Sequence, residues 1–333
     1  MKKIILICIG FCLLTGTHLF AGGSSDKSQP GKAELKISHT QSTAEDMHIA
    51  GAEMAKRITE RSKGNFTVQV YPNGELGGYN DNLEQMSRGV NLMVTMSPDF
   101  LATYEPDFGI LDGPFLFNDY TEFGKVQNSP WFATAAKRLE DKGIKILSMK
   151  WYFGARHIAA KKVVSSPADL RGVRFRTAPS LGRIAMTAAF GANPIQMNWQ
   201  ETYNALNQGI VEACEAPLST LHSSKIYEVC KNIALTGHIR ALLTVDVSTK
   251  WWNGLSAEYQ KLLKEEVDNG EKDLNARTSR KEAEWQKKLE SEGAIFNANI
   301  DKDAFRKSCE AFYKEFASKW TPGLYETMRA ILK

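Results

Sequence analysis

Cysteine is scarce and poorly placed for cross-linking. The 333-residue chain has 5, of which Cys8 and Cys12 lie in the N-terminal apolar run and only Cys214, Cys230 and Cys309 follow it. No C-x-x-C occurs, and an odd number permits at most one bridge in an oxidising compartment, so no disulfide scaffold is implied. Charge of one sign is also missing. The formal net charge is +4, falling to +2 without Lys2 and Lys3, too little for a nucleic-acid partner held by bulk electrostatics. No G-x-S-x-G, H-E-x-x-H or glycine-rich phosphate loop is present. His39, His48, His157, His222 and His238 are scattered, and Glu45 and Asp46 are helix neighbours whose side chains point apart. Enzymatic chemistry, a metal and a cofactor are therefore not expected.

Long apolar runs are confined to the start of the chain. Lys2 and Lys3 precede "IILICIGFCLL" and then "TGTHLFAGGSS", the order of a positive region, an apolar core and a small-residue cleavage site. Residues 1–23 are read as a signal peptide, which implies a cleaved, exported, periplasmic protein. Cys8 and Cys12 lie inside the apolar core, where they cannot serve as a lipid-anchor cysteine. The polar stretch "SSDKSQPGKA" makes residues 24–33 a disordered leader. No later stretch reaches the ~18 consecutive apolar residues of a membrane span.

What is present reads as α/β. "ELKISH" alternates like a strand, residues 47–62 are patterned as a helix, and "FTVQVYP" is strand-like again. That order predicts parallel strands joined by crossover helices. "DNLEQMSRG" is a helix stopped by Gly89, and "NLMVTM" is a strand. A second set follows from "KGIKILSMKWYFGARHIAAK" through "LRGVRFRTAPS" to a buried strand over Ile210–Cys214, so two α/β lobes are expected. Residues 256–292 read as one helix capped by Ser256 and ended by Gly293, with Tyr259, Leu262, Leu263, Val267 and Leu274 as its apolar face. At 1.5 Å per residue it would reach roughly 54 Å, wider than one lobe. A break at Gly270 is the alternative.

The stretch "DLRGVRFRTAPS" carries three arginines. Arg171 sits in the turn entering a strand, and Arg174 and Arg176 share one face of it. Arg176 is the last of them before the strand's carboxyl end, where open α/β sheets form ligand crevices. Its planar donor fork suits a carboxylate. Beyond it, Leu181, Ile184, Ala185 and Ala188 are expected to pack the next helix, leaving Arg183 in solvent.

Several stretches in order, among them "RSKGNFTVQVYPNGELGG", "YFGARHIAAKKVVSSPADLRGVRFRTAPS", "GANPIQMNWQETYNALNQGIVEACEAPLSTL" and "KIYEVCKNIALTGH", resemble the solute-binding proteins of tripartite ATP-independent periplasmic (TRAP) transporters, dicarboxylate-binding type. The resemblance implies a two-lobed periplasmic binding protein (type II-like) with hinge strands and a long helix spanning both lobes. Lobe I would take residues 34–153 with 243–281 returning to it, and lobe II residues 154–242, with parts of 282–333 packing across both. It also implies capture of an organic acid and delivery to the integral membrane subunits of a TRAP permease, by a chain expected to be a monomer. The same fold would serve a periplasmic sensor that presents a ligand to a membrane receptor, and an exported enzyme acting on a small acid is the remaining reading.

By the same resemblance Arg176 matches the carboxylate-clamping arginine, Arg156 a second arginine, and Trp199 an aromatic that packs on the solute. His39, Thr40, Tyr79 and Ser97 match cleft-lining positions. Ala216 stands where the family has an asparagine in Glu-Asn-Pro, which removes a donor and enlarges the pocket. With Trp151, Tyr152, Phe153 and Trp199 near the cleft segments, a carboxylate with an apolar body becomes an expectation.

Overall fold

The structure is a computed structural model that describes residues 31–333. The signal peptide at 1–23 and most of the leader lie outside the described residues. Ala33, assigned to the leader by composition, instead opens the first strand, its N–H donating to Asn65 O at 2.8 Å.

The strands are β1 (Ala33–Ser38), β2 (Phe66–Tyr71), β3 (Leu92–Met96), β4 (Ile144–Ala160), β5 (Arg174–Thr177), β6 (Asn193–Gln196), β7 (Ala213–Pro217), β8 (Asn232–Ser248) and β9 (Ile295–Asn297). They form one sheet in the order β2-β1-β3-β8-β4-β7-β5-β6, with β9 beside β8. At one end β2, β1 and β3 are parallel; at the other β7, β5 and β6 are parallel. Helices cover the faces of each set, because strands buried on both sides need apolar crossovers. β4 and β8 belong to both ends. Each has 17 residues, about 56 Å at 3.3 Å per residue, and they run antiparallel to each other through the whole molecule. These two strands join the lobes. Their register shifts four times, and Gly154 has φ +120 with Pro217 Cβ 3.2 Å from where a side chain would begin, so only glycine fits there. The strand expected over Ile210–Cys214 lies three residues later, since Ile210 is exposed in the turn after the helix Trp199–Asn207.

The long helix is continuous over Ala257–Ser291, 35 residues or about 52 Å, and Ser256 caps it through Tyr259 N. Its apolar face is buried as the spacing predicts. Gly270 does not break it. A Cβ there would stand 2.8 Å from Trp151, so the glycine lets the indole lie against the helix backbone. The helix is clamped to β4 where that strand's register is broken. The Asn275 amide accepts from Tyr152 N (2.7 Å) and donates to Lys150 O (2.9 Å), satisfying two backbone groups that the bulge releases. Ion pairs Arg57–Glu266, Arg61–Glu265, Arg277–Glu53 and Lys281–Asp46 tie it to the helix Asp46–Arg61 of lobe I. Farther along, Trp285 packs on His222 of lobe II. No helix among the described residues is long and apolar enough to cross a membrane.

Candidate functional site

The parallel strands of both lobes deliver their carboxyl ends to one place. A cavity there is lined by Thr40 and Gln41 after β1, Ser97 after β3, Arg176, Ala178 and Pro179 at the end of β5, Asn198 to Gln200 after β6, and Ala216 on β7. The hinge strands contribute Phe153, Arg156, Ala241 and Leu243. Its volume is about 80 Å³, several times the ~10–15 Å³ that one water needs. A small solute fits.

Three guanidinium groups face this cavity, and they differ in what neutralises them. Arg156 pairs with Glu215 through both carboxylate oxygens, Nη2 donating to Oε1 at 2.8 Å and to the Glu215 carbonyl at 3.1 Å. Arg183 donates to Asp112 at 2.8 Å and to Ser97 Oγ at 3.1 Å, and stands 3.5 Å from Glu215. Arg176 has no carboxylate within ion-pair distance among the described residues. It is 4% exposed, its Nε and Nη2 donate to Met197 O at 3.2 and 2.9 Å, and its Cζ lies 5.0 Å from the Trp199 ring centre. Burial lowers its pKa from 12.5 to about 10. Taking a cation out of water is costly unless something pairs it, so this guanidinium is short of an anion.

Glu215 organises the other two. Burial would push its carboxyl up, but Arg156 and Arg183 outweigh that and hold it well below the usual range. His238, 3.4 Å away and fully buried, is pushed down by burial.

The wall on the lobe I side is mutually tied. Thr40 Oγ1 and Gln41 Nε2 donate to Tyr79 Oη at 2.8 and 3.1 Å, and Ser97 donates to Asp112. The remaining wall is largely apolar, with Phe100, Phe153, Ala178, Pro179, Ala216 and Leu243. Trp199 is fixed by its indole N–H to Ser224 Oγ at 2.9 Å.

Side-chain hydrogen bonds cross the cavity from one lobe to the other. Arg183 of lobe II meets Asp112 and Ser97 of lobe I; Thr220 and Ser223 donate to Glu45 at 2.8 and 3.1 Å; Gln200 Nε2 donates to Thr40 O and Asn80 Nδ2 to Pro179 O, both at 3.4 Å.

Of the residues singled out by sequence, Arg176, Arg156, Trp199, Ala216, Ser97, Tyr79 and Thr40 converge on this cavity. His39 does not. It is buried behind the wall against His48 at 3.1 Å, and burial holds its pKa down to about 4. Trp151 is likewise away from the cavity, under the long helix. Arg174 is exposed and bound to Gly209 O and Ile210 O.

The clearest departure is Arg183, expected in solvent but 3% exposed, while Leu181 and Ala188 of its supposed packing face are exposed. Apolarity alone misassigns the face because Asp112 and Glu215 from elsewhere in the chain make a buried cation tenable. Sequence pattern does not single out Glu215, Gln41, Asn198, Gln200 or Thr220, which the fold brings to the cavity or its ties. The flanking of Trp199 in "MNWQ" at a strand end was the available signal for two of them.

The family model for bacterial extracellular solute-binding protein, family 7, matches residues 37–319. The C4-dicarboxylate-binding periplasmic protein DctP of Vibrio cholerae is 30% identical over 285 residues, 85% of this chain and 82% of that one. Among solved structures, a TRAP periplasmic solute-binding protein of Desulfovibrio salexigens in complex with diglycerolphosphate superimposes with a TM-score of 0.86 at 34% identity, covering 90% of this chain and 96% of that one. Another, from Ochrobacterium anthropi with bound L-fuconate, gives 0.87 at 30% identity over 91% and 100%.

Proposed function

This chain belongs to family 7 of the bacterial extracellular solute-binding proteins, and we propose that it captures an organic acid between its lobes and hands it to a TRAP permease. The observation that carries the reading is Arg176, a buried guanidinium without a carboxylate partner, facing a cavity between two hinged lobes. A solute carboxylate landing on it would form charge-assisted hydrogen bonds of roughly 1.5–3 kcal/mol each. Trp199, with its ring centre 5.0 Å from the guanidinium carbon, offers it a cation–π contact that helps keep it oriented. Arg156 and Arg183 lend positive potential while Glu215 and Asp112 keep their charges balanced.

The hinge lies where β4 and β8 pass between lobes, dividing the chain into lobe I (34–153 and 243–281) and lobe II (154–242), with 282–333 reaching both. In this reading the mature protein is an exported, periplasmic monomer freed of residues 1–23, binds its solute through Arg176, Arg156, Trp199, Ala216, Ser97, Tyr79 and Thr40, and turns nothing over. The apolar stretch of wall that includes Ala216 favours an acid with some apolar body. Diglycerolphosphate on the Desulfovibrio salexigens relative makes phosphate esters the necessary second arm of a screen.

Thermal-shift measurement across sugar acids, dicarboxylates, 2-oxo acids and glycerol phosphates tests this, because a ligand of the folded state raises the melting temperature. At least one carboxylate is expected to do so in the wild type and not in Arg176→Ala. Stabilisation by phosphate esters alone would overturn the solute class, and a carboxylate that stabilises both proteins equally would remove Arg176 as the anchor.

A further inference from the structure

We propose that the first turn of the helix Leu181–Ala189, through Gly182 and Arg183, is a latch that holds the two lobes closed by docking on Asp99 and Asp112. The proposal rests on the reading of a closing cleft but not on which solute fills it. Asp99 and Asp112 lie in the chain after β3, in lobe I; the helix follows β5, in lobe II. Contacts between these elements exist only when the lobes come together.

Two observations make this more than incidental proximity. Arg183 is 3% exposed and bridges the lobes, with Asp112 at 2.8 Å on one side and Glu215 of its own lobe at 3.5 Å on the other. It also lines the cavity, so the group that clasps the opposite lobe is the one a solute would feel. Next to it, Asp99 is buried over the helix start. Its Oδ1 stands 2.5 Å from where a Cβ of Gly182 would be, and its Cγ 3.0 Å, so the carboxyl occupies the space a side chain would need. The Asp99 carboxyl faces the Ser180 hydroxyl and the Arg183 N–H of the helix start, and Ser180, the residue before the helix, does not cap its own helix. The helix start thus lacks a side-chain cap from its own lobe, and a carboxylate from the other lobe sits there. A negative group at that end is favoured by the exposed N–H groups and the helix dipole. Opening the cleft would return Asp99 to water and uncover Arg183.

Glycine at 182 is therefore a requirement of closure and not of the helix, for which alanine is the better former. Gly182→Ala leaves lobe II intact and pushes a methyl group against the short, buried Asp99 side chain, 2.5 Å from Oδ1 and 3.0 Å from Cγ. Gly182→Ala with Asp99→Ala restores the space.

Interlobe distance decides the matter in ligand-free protein. Spin labels on the exposed helical positions Lys56 (lobe I) and Asn204 (lobe II) are measured by double electron–electron resonance under osmotic stress from polyethylene glycol; Cys214, Cys230 and Cys309 are buried. Excluded cosolutes favour the form that exposes less surface. The wild type is expected to populate the closed distance, Gly182→Ala to lose that population about tenfold or more, as overpacking costs in cores imply, and the double variant to regain it. Asp112→Asn should also reduce it, since the Arg183 charge then lacks its partner in lobe I. A wild type that stays open under stress, or a Gly182→Ala chain that closes as the wild type does, overturns the latch. A missing response to every acid in the preceding screen would not touch it.

Discussion

Replacing Arg176 by methionine separates a binding guanidinium from a structural one. In this structure the group is almost fully buried, holds only a carbonyl oxygen and an aromatic face, and has its pKa lowered from 12.5 to about 10 by burial. At 1.36 kcal/mol per unit, that shift corresponds to roughly 3 kcal/mol by which the charged form is disfavoured. Methionine fills similar volume without the charge, so the ligand-free protein is expected to hold its stability or gain up to ~3 kcal/mol. Solute affinity should move the other way. Losing one partner of a buried charge pair typically costs about 2–5 kcal/mol, which at 1.4 kcal/mol per tenfold is about 30-fold to a few thousandfold. Urea unfolding of the ligand-free protein and calorimetric titration with the tightest acid provide the two readouts. A variant that is destabilised, yet binds the acid as tightly as the wild type, would refute the reasoning, because the arginine would then be serving the fold.

Glu215→Gln leaves Arg156 and Arg183 buried with less compensation, so unfolding free energy should fall by about 3–5 kcal/mol, read by urea titration. Closure should take up a proton at Glu45. Burial pushes its carboxyl up to about 7 from 4.5, it faces the hydroxyls of Thr220 and Ser223, the Ser42 N–H, Tyr79, and an Asp46 already paired with Lys281, and opening returns it to water. The stabilisation of the closed form is then fully present below about 4.5 and lost as pH rises through about 7. Glu45 alone should thus make affinity for a solute ionised throughout roughly 10- to 30-fold tighter at about pH 5.5 than at about pH 8, and Asp99, which burial raises to about 6, adds a further few-fold in the same direction. Glu45→Gln should flatten most of that profile by calorimetry; an unchanged slope would exclude Glu45. Gly270→Ala gains up to ~1 kcal/mol of helix propensity but collides with Trp151, so a net loss of about 1–2 kcal/mol is expected in denaturant unfolding.

Much of this protein was decided by local pattern. Alternation in "ELKISH" and "NLMVTM" and the spacing of Tyr259, Leu262, Leu263, Val267 and Leu274 determine strands and helix, because the period of apolar residues fixes which face must leave water. The place of Arg176 beside a strand's carboxyl end follows from the same rules. Tertiary structure decided the rest. Arg183 belongs to a buried network only because Asp112, 71 positions away, and Glu215 fold against it. Gly270 stays inside an unbroken helix because Trp151 from a crossing strand needs the room, and His39 sits behind the wall because His48 holds it there. Sequence carries the periodicity that local geometry reads directly, whereas the cost of burying a charge depends on partners that only the folded chain brings within reach.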